Sequence, residues 1–121
     1  MPSLSREPGP FHPQLRLALR SLRKRLRLAQ YDVARQIQDN DGKHRSGEWL
    51  NQIELGRRRL DPDLAVQVGD ILKVNRSLIL RLVMLETWPV AAMVVWNDLQ
   101  ALKAEDLAAQ LVGSQCVPSE S

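Results

Sequence analysis

The chain has 121 residues, a formal net charge of +3 and 44% hydrophobic residues, enough for one modest core and too apolar for a disordered chain. Aromatic residues make up only 4%, so the core must come from leucine, valine, isoleucine and alanine, which favours an all-α protein over a β-sandwich. A single cysteine, Cys116, excludes an intrachain disulfide, argues against a cysteine-based metal site and fits a reducing cytoplasm.

The modest total charge hides a split. Residues 1–60 hold 13 Lys/Arg against 6 Asp/Glu, and residues 61–121 hold 4 against 8. A basic half on a small chain suggests a polyanion such as nucleic acid; a solvated helix face rich in arginine is the plainer alternative. No window reaches the roughly 18 uncharged apolar residues of a membrane span. The longest candidate, "SLILRLVMLETWPVAAMVVW", is interrupted by Arg81, Glu86 and Pro89. The proline-rich start "MPSLSREPGPFHPQ" lacks the apolar core of a secretory signal, so no export and no membrane partner is expected.

Residues 1–11 and 114–121 lack apolar periodicity and are expected to be flexible tails. From Pro13, Leu15, Leu19, Leu22 and Leu26 share one face of a first helix whose other faces carry arginine. A short second helix follows on Tyr31, Ala34 and Ile37, closed by "DNDG" at 39–42. Ser46 is a candidate N-cap for a third, "GEWLNQIEL", with Leu50 and Ile53 inward and Gly56 where a left-handed C′ glycine would sit. Asp61 and Pro62 predict the start of a fourth helix, with Leu64, Val68, Ile71 and Leu72 inward. Asn75 can cap a fifth, which should stop before Pro89. The remainder supports one helix from about residue 90, or two split near Lys103.

The spaced residues Leu19, Leu22, Arg23, Leu28, Gln30, Ala34, Leu50, Ile53, Glu54, Gly56, Leu72 and Val74 carry the phrase "LR…LxQxxxA…LxxIExG…LxV" over roughly residues 15–80. This pattern resembles the lambda-repressor/Cro-like (XRE) family of helix-turn-helix DNA-binding proteins. The resemblance implies a five-helix DNA-binding domain over 12–80, a C-terminal helical dimerisation segment over 81–113, and a cytoplasmic, nucleoid-associated regulator of bacterial or phage type. It implies no enzyme and no cofactor.

Carried over residue by residue, the resemblance pairs Arg23 with Glu54 in a partly buried ion pair and places the outer face of the third helix in the major groove. That face should present Gly47, Glu48 and Gln52, with Ser46 and Asn51 at its edges, opposite the Leu50 and Ile53 stripe. The Gln52 amide suits adenine and the Glu48 carboxylate suits a cytosine amino group; the alternative for Glu48 is a partner for the helix dipole. Gln30, by resemblance, would bond a phosphate at the start of the second helix. Arg57, Arg58 and Arg59 would hold the DNA backbone, although an arginine run can also offset a helix C-terminal dipole.

Three positions depart from the family pattern. Ala29 stands where a serine or threonine N-cap is usual, Arg27 replaces a common glycine, and "QDNDGKHR" at 38–45 enlarges the turn by about six residues. The insertion could be a wing whose Lys43 and Arg45 add phosphate contacts, or could lengthen the third helix at its start. His44 has only His12 as a fellow histidine, so no metal site is expected.

The C-terminal third offers Leu82, Leu85, Trp88, Val95, Trp96 and Leu99, which could close on the domain's own core or form a two-fold homodimer interface. The expected function is a repressor binding a palindromic operator on double-stranded DNA as a homodimer. An antitoxin or adaptor whose C-terminal helices bind another protein is the alternative.

Overall fold

The computed structural model describes residues 8–38, 44–97 and 103–116. Among them the protein is all-α, with one isolated bridge and no β-strand: α1 (Leu15–Arg25), α2 (Gln30–Ala34), α3 (Gly47–Glu54), α4 (Pro62–Ile71), α5 (Arg76–Thr87), α6 (Pro89–Val95) and α7 (Ala104–Gly113). No helix is long and apolar enough to cross a membrane among the described residues.

Local chemistry starts three of these helices where the sequence predicts. Ser46 Oγ accepts from the Trp49 N–H (3.2 Å), Asp61 Oδ1 from the Asp63 N–H (2.8 Å), and Asn75 Oδ1 from the Leu78 N–H (3.1 Å). The fifth helix ends at Thr87, ahead of Pro89. Beyond it the described residues form two helices, the second with Lys103 at its N-cap position.

Helix α1 has no local cap, because Gln14 makes no side-chain bond to it. Its start is instead held by Glu86 of α5, whose two carboxylate oxygens accept from the Gln14 N–H (2.8 Å) and the Leu15 N–H (3.0 Å). Burial pushes the Glu86 carboxyl above its usual range, while these two N–H donors and the nearby Arg16 pull it back.

The ends of α1, α3 and α4 share one motif. In each, the C′ residue has a positive φ: Arg27 (+58°), Gly56 (+74°) and Lys73 (+63°). In each, the next N–H reaches back to a carbonyl five residues earlier: Leu28 to Arg23 (3.1 Å), Arg57 to Gln52 (2.9 Å) and Val74 to Gly69 (3.0 Å). The left-handed glycine predicted at Gly56 is present, and so is the same turn at two residues that carry a Cβ.

One apolar core runs through all seven helices, from Leu15, Leu19 and Leu22 of α1 to Ala92 of α6 and Leu107 and Leu111 of α7. Helix α7 packs on α1 and α5, and the expected boundary between residues 80 and 81 falls inside α5, whose Ile79, Leu82 and Val83 are all buried. The described chain therefore does not divide there.

Nor are the described parts of the two expected tails loose. The Gly9 N–H donates to the Leu55 carbonyl (2.7 Å) and the Phe11 N–H to the Gly56 carbonyl (2.9 Å). At the other end Gln115 is buried, its Nε2 donating to the carbonyls of Leu22 (3.0 Å) and Leu72 (2.8 Å). Residues 1–7 and 117–121 lie outside the described residues.

The enlarged turn is closed at its base. Gln38 and His44 form an antiparallel bridge, the Arg45 N–H donates to the Ile37 carbonyl (3.3 Å), and the Gln67 amide bonds both the N–H and the carbonyl of Gln38 (3.2 Å each). Helix α3 starts only after Ser46, so the insertion does not lengthen it.

Candidate nucleic-acid interface

Helix α3 is anchored on one side and polar on the other. Trp49, Leu50 and Ile53 are buried, while Glu48 is exposed and Asn51 and Gln52 are half-exposed. Trp49 is an anchor that the Leu50 and Ile53 spacing did not reveal; its ring faces the Arg45 guanidinium at 5.4 Å.

The buried pair implied by the family resemblance is formed. Arg23 Nε donates to Glu54 Oε2 (2.7 Å) and Nη2 to Oε1 (3.0 Å), while Nη1 donates to the Leu28 carbonyl (2.8 Å). This bidentate fork fixes the end of α3 against α1 and the following turn.

Gln30 belongs to the same network. Its Nε2 donates to Asn51 Oδ1 (3.1 Å) and to Glu54 Oε1 (3.0 Å), which engages both amide hydrogens. These bonds tie the Gln30 side chain to α3 and hold α2 against it. Without a side-chain acceptor at Ala29, Asp32 Oδ2 accepts from the Ala29 N–H (2.8 Å), supplying one half of a capping box.

On the outer face, Glu48 is the hub. Its carboxylate accepts from Gln52 Nε2 (2.7 Å) and Asn51 Nδ2 (3.2 Å). Those two bonds, the Gln52 one foremost, together with the positive charge of Arg57 hold the Glu48 carboxyl below its usual range, so it is an anion at neutral pH. The exposed face thus presents an ordered row of carboxylate and amide groups. Ser46 lies at its edge with its hydroxyl oxygen used as a cap. Gly47 does not belong to it: a Cβ there would point at the Tyr31 backbone, at 3.4 Å, so this glycine faces α2.

Past Gly56 the arginine run follows directly on this helix. Arg57 is half-buried near Glu48, Arg58 and Arg59 are exposed, and the Arg59 guanidinium lies over the Phe11 ring at 5.2 Å. Arg45 is half-buried, with Nε lacking a hydrogen-bond partner. Lys43 lies outside the described residues. No group of three or more metal-ligating side chains occurs among the described residues.

The candidate dimer residues separate into two sets. Leu82 is fully buried in the protein's own core, and Leu85 and Trp96 are half-buried against it, Trp96 under the Arg81 guanidinium at 5.9 Å. Leu82 therefore closes on the core and is not free for a partner. Trp88 (45% exposed) and Val95 (61%) are open, joined by Val90 and Val94 (76% each), which the sequence reading did not single out. Leu99 lies outside the described residues.

No protein-family model, no curated protein and no solved structure matches this chain.

Proposed function

We propose that the protein is a sequence-specific DNA-binding transcriptional regulator, a repressor in which α1–α5 serve as a helix-turn-helix domain and α3 enters the major groove. The observation that carries this reading is the outer face of α3. An ordered Glu48, Asn51 and Gln52 cluster stands opposite a buried Trp49, Leu50 and Ile53 stripe, and a left-handed Gly56 leads straight into Arg57, Arg58 and Arg59. Amide and carboxylate groups on a rigid helix suit base edges, and arginines beside them suit phosphates. The Arg23, Glu54 and Gln30 network supports the reading by fixing α3 at its far end.

In this reading the protein acts as a homodimer on a palindromic site. The open Trp88, Val90, Val94 and Val95 on and beside α6 would supply the two-fold contact. The same apolar face favours one second reading, an antitoxin or adaptor that docks another protein there.

Selection of bound sequences from random duplexes tests the proposal. A palindrome with half-site centres about one helical turn apart, roughly 34 Å, is the expected result. On the selected site, Gln52→Ala should relax preference at one position, a loss of about 1–3 kcal/mol there. Arg58→Ala should weaken all duplexes alike and lower the salt slope by about 0.9. Equal loss on selected and random DNA for Gln52→Ala would overturn its role as a base reader. No enrichment, with a chain that stays monomeric until a protein partner is added, would favour the second reading.

A further inference from the structure

Residues 8–12 run back across the end of α3 and make contacts that the reading role of α3 does not by itself require. The Gly9 and Phe11 N–H groups pair with the carbonyls of Leu55 and Gly56, and Arg16 Nη1 bonds the Gly9 carbonyl and, at 3.4 Å, the Phe11 carbonyl. Gly9 has to be a glycine here, because a Cβ would collide with the Gly56 carbonyl. One residue on, His12 takes a left-handed backbone (φ +52°) and is only 2% exposed. Its Nε2 accepts from the Leu60 N–H at 2.8 Å.

These bonds fall at both ends of the arginine run. Leu55 and Gly56 are held just before it and Leu60 just after it, and within it Arg59 lies over the Phe11 ring. A free arginine side chain carries about 2 kcal/mol of rotamer entropy, which binding a phosphate must restrict. A guanidinium over a ring keeps its N–H donors in its own plane, and so is already ordered while its fork stays able to bond.

We infer that residues 8–12 form a strap that pre-orders Arg59 for a DNA phosphate, with Phe11 as the positioning residue and His12 as its anchor. The inference rests on the DNA-binding reading above. It differs from a purely structural strap in one respect: Phe11 must act on DNA through Arg59.

A double-mutant cycle on the full chain separates the two. The probes are a random-sequence duplex of about 30 base pairs and the selected site, with thermal unfolding run on every variant. Phe11→Leu, which keeps bulk and removes the ring, should weaken both duplexes by about two- to fivefold. Phe11→Trp should restore wild-type affinity. Arg59→Ala should lower the salt slope by about 0.9, and in that background Phe11→Leu should have no further effect. A loss from Phe11→Leu that is as large with Arg59→Ala as without it overturns the inference, and so does no loss at all. A folded wild-type chain that binds neither duplex removes the DNA reading itself and this inference with it.

Discussion

At the scale of single residues, the three left-handed C′ positions show how a glycine rule both succeeds and fails. Gly56 is identifiable from sequence because glycine there has no competing explanation. Arg27 and Lys73 make the same turn with the same backbone bonds, but a Cβ at φ near +60° is strained, by roughly 1 kcal/mol. The turn persists because its backbone bonds and the packing of Leu28 and Val74 outweigh that strain. Arg27→Gly should therefore raise stability by up to about 1 kcal/mol, less the added entropy of a glycine in the unfolded chain. The urea midpoint measures it, and a fall of the midpoint would show that the Arg27 side chain contributes more than its strain costs. Arg23 and Glu54 illustrate the opposite case. Their pairing was legible through the family resemblance alone, because no local spacing brings together two residues 31 apart in sequence.

At the scale of elements, local signals were reliable and long-range ones were silent. Ser46, Asp61 with Pro62, and Asn75 each start a helix by bonding an N–H within three residues, and such bonds can be read from the sequence. The start of α1 could not be read this way, because its cap is Glu86, 71 and 72 residues away. The side-chain partners of Gln30 were hidden for the same reason, because Asn51 and Glu54 lie on another helix. Within the candidate site, the outward placement of Glu48 and Gln52 was legible from the Leu50 and Ile53 stripe, whereas the bonds that tie them together were not. Ala29 offers a test at this scale. Its backbone is extended (φ −77°, ψ 162°), the geometry of an N-cap, and Asp32 already supplies the reciprocal bond. Ala29→Ser completes the box by offering Oγ to the Asp32 N–H, and should stabilise the protein by about 1 kcal/mol. Equilibrium denaturation measures this, and an unchanged midpoint would mean that the first turn of α2 does not limit stability.

At the scale of the whole molecule, both ends of the described chain are stitched to its middle. Residues 8–12 pair with residues 55–60, and Gln115 joins the ends of α1 and α4. Neither stitch has apolar periodicity, which is why periodicity assigned both to flexible tails. The first of them makes stability depend on pH through His12. Burial is the main reason that the His12 pKa falls from 6.5 to about 4, with the charges of Arg59 and Arg16 adding to it. Protonation at Nε2 would also break the bond from the Leu60 N–H. Because the folded pKa lies below the unfolded one, the contribution of neutral His12 is complete above pH 6.5 and is lost progressively as pH falls towards 4. The slope for one proton is at most about 1.4 kcal/mol per pH unit. Glu86 acts in the opposite sense, since its folded pKa is raised and the folded state takes up its proton first. Between pH 6.5 and 5 the loss of neutral His12 lowers stability, and a variant that cannot titrate at this position separates that contribution from the one of Glu86. Stability measured by urea denaturation should therefore fall across that interval in the wild type. In His12→Gln, whose amide can still accept from the Leu60 N–H but does not titrate, the curve should flatten. A wild-type curve that stays level from pH 6.5 to 5, or an equal fall in both proteins, would show that the strap remains closed when His12 is charged.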